Sequence, residues 1–425
     1  MSHGSRLHAA VTIVFATTAA TATACAPTRG ARMAAHAAAP DVQGRGREQA
    51  ENQMRPPPGT LTAGLWDDNL NFDFYLAYLR EVERQQPPGL VVIPRHDRLV
   101  IQVTTDGGAP VAGAEVTVAA PGAASFRSIT GADGRVLYFP TWAGAHAGAT
   151  LTVAAAIGQR RTEARAPARG GALDLVLPGA RGGGPRRLDV ALVIDTTGSM
   201  GDEIRYLQSE VDALAGGLAR RFPSLDVRWS LVVYRDEGDD YVVRPFDFVA
   251  DLGSFRRSLG AQSADGGGDY PEAPDQALRA TTDLSWRDGA TARVLFWLAD
   301  APHHVGREAA MAGSYTRAIE RGVHIYPVAA SSADDVTEHA MRTAAEVTGG
   351  RYLFLTDDSG VGLAHKEPRI PCYFVTTLLA AMERSLRMEL EGAWSEPARE
   401  EILRTGGDPQ ARTCRTPKNQ TVTAI

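Results

Sequence analysis

The stretch ALVIDTTGSMGDEI, residues 191–204, decides the fold. An apolar run ends in an aspartate, then come two threonines, a glycine and a serine, and a helical pattern begins. A continuous apolar strand of this kind is one buried on both faces, as in parallel sheets. The helix after it shows in Ile204, Leu207, Val211, Leu214 and Leu218, which fall on one stripe. The same alternation continues downstream. DVRWSLVVYRD (226–236), ARVLFWLAD (292–300), VHIYPVAA (323–330) and GRYLFLTD (350–357) read as strands with amphipathic helices among them. This predicts an α/β domain over 188–391, a doubly wound, mostly parallel sheet with helices on both faces.

In such sheets ligands bind beyond the carboxyl ends of the strands. Asp195 stands at such an end, and Thr197 and Ser199 follow at alternating positions of the same turn. One carboxylate and two hydroxyls are hard oxygen donors of low total charge, which suits Mg²⁺ and not zinc. Two other segments complete the candidate set. The loop ADGGGDYPEAPD (264–275) offers Asp265, Asp269 and Glu272 behind three glycines, which let the backbone approach closely. Asp300 ends a buried strand, where a carboxylate needs a reason. Asp236, after the second strand, and His303, beside Asp300, stand at the expected rim, together with Asp265 and Glu272 of the glycine loop.

On these residues the segment from 188 to about 390 resembles a von Willebrand factor A (VWA) domain. DTTGS matches that family's metal-ion-dependent adhesion site, Asp-x-Ser/Thr-x-Ser, at Asp195, Thr197 and Ser199. The GGGDYPE loop resembles the form seen in many bacterial members and in the domain attached to some atypical kinases. The family has a threonine ligand in that loop, and the closest position here is Asp269. Asp300 matches a strand-end aspartate that usually reaches the metal through water. The resemblance implies bound Mg²⁺, with Mn²⁺ or Ca²⁺ as alternatives, and an open coordination position filled by a carboxylate from a partner protein. An aspartate in place of the threonine would hold the metal more tightly and attract that carboxylate less.

The rest of the chain supplies context. The formal net charge is −6 over 425 residues, which gives no footprint for nucleic acid. Residues 1–25 carry Arg6, a short apolar stretch and small residues before Cys25, the pattern of an export signal. ATAC resembles the lipobox of bacterial lipoproteins, so Cys25 is the expected lipidation site, with plain secretion and a retained anchor as alternatives. Residues 26–58 have almost no large apolar residues and read as a disordered tether. Phe72, Tyr75, Leu76 and Leu79 give 59–86 a short helix. Asp67, Asn69, Asn71 and Asp73 read as a turn and helix cap, since a calcium loop would need a glycine and a closing glutamate. Regular strand and turn signals over 97–178 predict a small all-β sandwich, and the region resembles transthyretin-like or carboxypeptidase-regulatory-like modules. Residues 392–425 form a tail. Once Cys25 is set aside, Cys372 and Cys414 remain, and an exported chain would join them; two buried free thiols are the alternative.

Nothing here reads as an enzyme. HExxH and GxSxG are absent, and Ser199 has no evident base. The sequence reading is therefore an exported, membrane-anchored module of the cell envelope that binds a protein through a divalent metal. A structural lipoprotein with a fold-stabilising metal is one alternative, and an accessory subunit of a chelatase- or protease-type system is another.

Overall fold

The computed structural model describes residues 60–425 apart from 269, 360–364, 367, 408, 410, 411 and 417. The export signal, Cys25, the tether and Asp269 lie outside the described residues. The chain is mixed α/β, with one large, mostly parallel sheet and smaller sheets. In chain order the elements begin with β1 (Thr62–Trp66) and α1 (Phe72–Gln85). Seven strands follow: β2 (Leu99–Thr104), β3 (Glu115–Ala119), β4 (Phe126–Ile129), β5 (Arg135–Tyr138), β6 (Thr150–Ile157), β7 (Arg160–Pro167) and β8 (Gly171–Val176). Next come β9 (Arg187–Asp195), α2 (Gly201–Arg221), β10 (Asp226–Tyr234), β11 (Val243–Val249), α3 (Leu252–Gly260) and α4 (Pro274–Thr282). The last group is β12 (Thr291–Ala299), α5 (Glu308–Arg321), β13 (His324–Ala329), α6 (Asp335–Thr348), β14 (Tyr352–Thr356), β15 (Tyr373–Thr377), α7 (Leu378–Glu391) and β16 (Arg404–Gly406).

The large sheet has the order β11-β10-β9-β12-β13-β14-β1-β15-β16. Its centre is parallel: β9 pairs with β10 and β12, and β13 lies between β12 and β14. Side chains alternate between two cores, as a strand's period of two requires. From β9, Leu188, Val190, Leu192 and Ile194 enter one core, with residues of α2, α3 and α7. Ala191 and Val193 enter the other, with residues of α4, α5 and α6. This explains why the strand is apolar from Val190 to Ile194: neither face reaches water, and the buried Asp189 before them is paired with Arg228 and Arg287.

The segment 59–86 holds more than the expected helix. β1 inserts into the large sheet, antiparallel to both β14 and β15. Gly64 stands opposite Phe354, whose ring lies where a side chain would be; a Cβ there would meet the Phe354 Cζ at 2.2 Å. α1 packs on α6: the Tyr75 hydroxyl lies 3.4 Å from that of Thr343, and the Arg342 guanidinium sits 3.9 Å from the Tyr78 ring centre. Residues 67–71 form a turn, with Asp67 Oδ1 accepting from the Leu70 amide at 2.9 Å, and Asp73 lies in the first turn of the helix that starts at Phe72. The tail is likewise built in. β16 pairs with β15, Ile425 is fully buried, and Asn71 exchanges hydrogen bonds with the Thr423 backbone in both directions. Cys372 and Cys414 form a disulfide.

Strands β2–β8 form two small sheets, β5-β2-β8 and β4-β3-β6-β7, which share one apolar core. Among the described residues no helix is long and apolar enough to cross a membrane.

Substitution of Gly64 by Val tests whether β1 belongs to the sheet. Forcing a branched side chain into the space of the Phe354 ring should cost at least 1–3 kcal/mol, roughly the range for overpacking. Chemical denaturation would read it, and an unchanged midpoint would mean that β1 does not hold this position.

Candidate functional site

The site forms where β9 and β12 end and two loops meet. Asp195 closes β9 and is fully buried. Its Oδ1 accepts from the Thr197 amide at 2.9 Å and from the Thr197 hydroxyl at 2.7 Å, so the turn folds back onto its own aspartate. The glycine loop is laced to this turn through backbone: Asp265 donates to the Thr196 carbonyl at 3.0 Å, and Gly198 to the Gly266 carbonyl at 3.3 Å. Gly266 and Gly267 have φ of 79° and 78°, a conformation that favours glycine. A Cβ on Gly267 would lie 3.1 Å from the Thr197 Cβ and 3.3 Å from Glu272 Oε1, so the close approach also needs a bare backbone.

Beyond the loop, Glu272 pairs through its backbone with the segment after Asp300. Its amide donates to the Pro302 carbonyl at 2.9 Å, and it forms a parallel bridge with His303. This brings a buried glutamate into the space between strand ends. Burial first, then the charges of Asp195, Asp236, Asp239 and Asp300, push the Glu272 carboxyl up to about 9. Burial, then the charge of Asp300, push Asp195 up to about 7 against the hydrogen bonds from Thr197 and a smaller contribution from the nearby Tyr234 hydroxyl. Burial also raises Asp300, with the Ser199 hydroxyl as the main opposing influence. The largest influences on these three carboxyls include no arginine or lysine. Asp195 Oδ2 and Glu272 Oε2 are buried with no hydrogen-bond partner.

The residues expected from the sequence therefore divide. Asp195, Thr197, Ser199 and Asp300 come together, and Glu272 stands among the acidic groups instead of at the rim. Asp236 is buried near them and held by His304, whose Nε2 lies 2.5 Å from its Oδ1. Asp265 is exposed and caps its own loop at the Gly266 amide. His303 contributes its backbone; its ring is buried, and burial lowers its pKa and keeps it neutral. Asp239 was not singled out from the sequence. It receives the Gly267 amide at 3.1 Å, a contact that depends on the fold of two loops.

A second group near the same end of the sheet was also missed. The Ser331 Oγ lies 3.1 Å from both Glu203 Oε1 and His365 Nε2, and His365 Nδ1 lies 2.8 Å from Asp357 Oδ1. The order serine, imidazole, carboxylate is that of a hydrolytic triad. Ser331 is 2% exposed, however, and its hydroxyl is shared with Glu203, so the group closes a polar pocket of the core. Ser331 follows the end of a buried strand just as Asp195 ends one, and that was the available signal.

Unpartnered carboxylate oxygens in a buried, negatively charged pocket fit a small hard cation, and the hydroxyls of Thr197 and Ser199 are compatible donors. Among the described residues no group of three or more His, Cys, Asp or Glu side chains converges as a metal cluster. The fit thus rests on carboxylates supplemented by hydroxyl oxygens.

No family model matches the chain. It is 28% identical over 139 residues to alpha-protein kinase vwkA of Dictyostelium discoideum, covering 32% of this chain and 22% of the kinase. It is 26% identical over 117 residues to a putative ariadne-like RING finger protein of Acanthamoeba polyphaga mimivirus, covering 28% of this chain and 11% of that protein. The chain thus spans less than a quarter of the length of these curated relatives. Among solved structures it is similar to the conserved hypothetical protein BatB from Bacteroides thetaiotaomicron, at 12% identity and a TM-score of 0.33, covering 48% of this chain and 97% of that one.

The electrostatics give a pH test. A carboxyl whose folded pKa lies above its unfolded value binds its proton more tightly when folded. Its stabilising share is whole below the unfolded value and is lost as the pH rises through the folded one. In chelator, the stability of the protein should therefore fall between about 4.5, the ordinary value for glutamate, and about 9, with Glu272 contributing. Glu272→Gln should flatten the profile in that window. Parallel profiles for the two proteins, measured by thermal melting, would contradict the placement of Glu272 among the aspartates.

Proposed function

We propose that this chain is a divalent-metal-dependent protein-binding module of the VWA type. Its large sheet is read as the doubly wound arrangement of that family, and β2–β8 as an accessory sandwich. The observation that carries the proposal is the buried Asp195, with one unpartnered oxygen, facing Asp300 and Glu272 without a cation among their strongest influences. Asp195, Ser199 and Asp300 would hold the metal, with the Thr197 hydroxyl as a further donor. A bound cation supplies a Lewis-acidic position for an incoming carboxylate, and Mg²⁺ is the first choice, ahead of Mn²⁺ and Ca²⁺. The chain's own part is to align the donors and, through the glycine loop, to leave the exposed Ser199 side of the junction open to a partner.

The partner is a protein offering a carboxylate. The location is the cell envelope, on a membrane through lipidated Cys25. No catalytic role is assigned. A second reading, a metal that stabilises the fold without engaging a partner, is favoured by Glu272: once a bound cation lowered its pKa and ionised it, its charge would weaken attraction for another carboxylate.

Calorimetric titration of Mg²⁺ and Mn²⁺ into the protein and into Asp195→Ala tests the proposal. Saturable binding is expected in the unmutated protein, with at least a tenfold loss in the variant. Chelator should then abolish capture of an acidic peptide. Metal binding without metal-dependent capture would support the stabilising role instead, and no binding of either ion would overturn both readings.

A further inference from the structure

Far from this junction in sequence, α7 carries a buried arginine with no partner. Arg384 is 3% exposed, and its Nε, Nη1 and Nη2 are all buried without a hydrogen bond. Other buried arginines are engaged. Arg342 binds Asp68 through two nitrogens and Glu338 through the third, Arg293 donates to three backbone carbonyls, and Arg95 reaches Thr343 and the Ile93 carbonyl. Among the buried arginines of the described residues, Arg384 is the one whose three side-chain nitrogens all lack a partner. Burying an unpaired charge is costly, so such a group calls for a counter-ion.

The surroundings have the form of a small anion site. A cavity of about 110 Å³ lies between α2 and α7, lined by Arg384, Arg387, Arg221, Glu383, Glu401 and Gly217 among others. Arg387 follows Arg384 by three residues, on the same helix face, and its Nε is also buried without a partner. Arg221 enters from the end of α2 and is tied to Glu391 at 2.9 Å. Gly217 makes room for the Glu383 carboxylate beside the cavity: a Cβ there would meet Glu383 Oε1 at 1.7 Å. The carboxylates do not neutralise Arg384. Glu401 influences it through charge, but its Oε2 is taken by the Ala398 amide at 2.9 Å. Burial lowers Arg384 to about 10, which leaves it cationic at neutral pH, and burial raises Glu383.

We propose that the cavity between α2 and α7 binds a small phosphate-class oxyanion, free or as a monoester, through Arg384, Arg387 and Arg221. The volume equals roughly three to four waters, enough for one tetrahedral ion. Guanidinium groups match phosphate oxygens in paired geometry. The two carboxylates select within the class. Monohydrogen phosphate, or a monoester as its monoanion, carries acceptor oxygens for the arginines and a P–OH that can donate to Glu383 or Glu401. Sulfate has the same shape and no proton, so it would face both carboxylates unpaired.

The test is thermal melting of the full chain in chelator, with added orthophosphate, glycerol phosphate, sulfate or chloride at matched ionic strength. Orthophosphate should raise the melting temperature saturably, with sulfate at least tenfold weaker and chloride without effect. Arg384→Met, which keeps bulk and removes charge, should abolish the response. Arg387→Gln should weaken it about tenfold, and it provides the readout should Arg384→Met fail to fold. A response to glycerol phosphate equal to that of orthophosphate would identify a monoester site, and a response to orthophosphate alone a free-ion site. No phosphate response, or an equal response in Arg384→Met, would overturn the site. Equal responses to sulfate and phosphate would overturn the role given to the carboxylates.

Discussion

Asp195, Asp300 and Glu272 meet at the end of a sheet that is sealed on both faces, and burial raises the pKa of each. Mutual repulsion in a poorly solvated pocket works against folding, and much of the local architecture follows from it. The Thr197 amide and hydroxyl turn back onto Asp195. Glycines 266 and 267 bring a loop close enough to wall the pocket, and the bridge between Glu272 and His303 fixes the other side. Each contact satisfies backbone or one carboxylate oxygen. None brings in a positive charge, and this is what separates the junction from the ion-paired parts of the core.

Those parts show the contrast. Arg342 is fully buried beside α1, yet Asp68 and Glu338 take its nitrogens, and Arg95 approaches Glu346 within 3.2 Å. Pairs of this kind break even against desolvation only when the remaining hydrogen bonds are met. For Arg342 they are met, while Arg95 Nε and both Glu346 carboxylate oxygens are buried without a hydrogen bond; the pairs fasten the N-terminal segment to α6. The sandwich is fastened by other means: the Ser128 hydroxyl donates to the Ile319 carbonyl at 2.6 Å, and Gly392 packs directly on the backbone at Ala132.

Most of the strand and helix order from 187 to 391 could be read from the sequence because the central strands are apolar runs and the helices show their stripes; β15, YFVTT, was not read as a strand. β1 could not. TAGLW is five residues with a central glycine, and its place in the sheet comes from the Phe354 ring that covers Gly64, a neighbour nearly three hundred positions away. The tail was opaque for the same reason: its polar composition hides Val422, Ala424 and Ile425, which are buried only because other elements receive them. In the site, strand ends exposed Asp195 and Asp300 to sequence reasoning. Glu272 was seen but given too small a part, since its central position depends on a bridge to the segment after Asp300. Asp239 has no local signature, and the group of Ser331, His365 and Asp357 shows only in Ser331 following a buried strand.

The central claim is that a cation belongs among these carboxyls. Crystals grown with Mn²⁺ and measured for its anomalous scattering would test it most directly. The account predicts a single strong peak contacted by Asp195 and Ser199 and facing Asp300, with Asp195 Oδ2 no longer unpartnered. A well-ordered junction with no anomalous peak, its carboxyls joined instead by hydrogen bonds to one another, would contradict it.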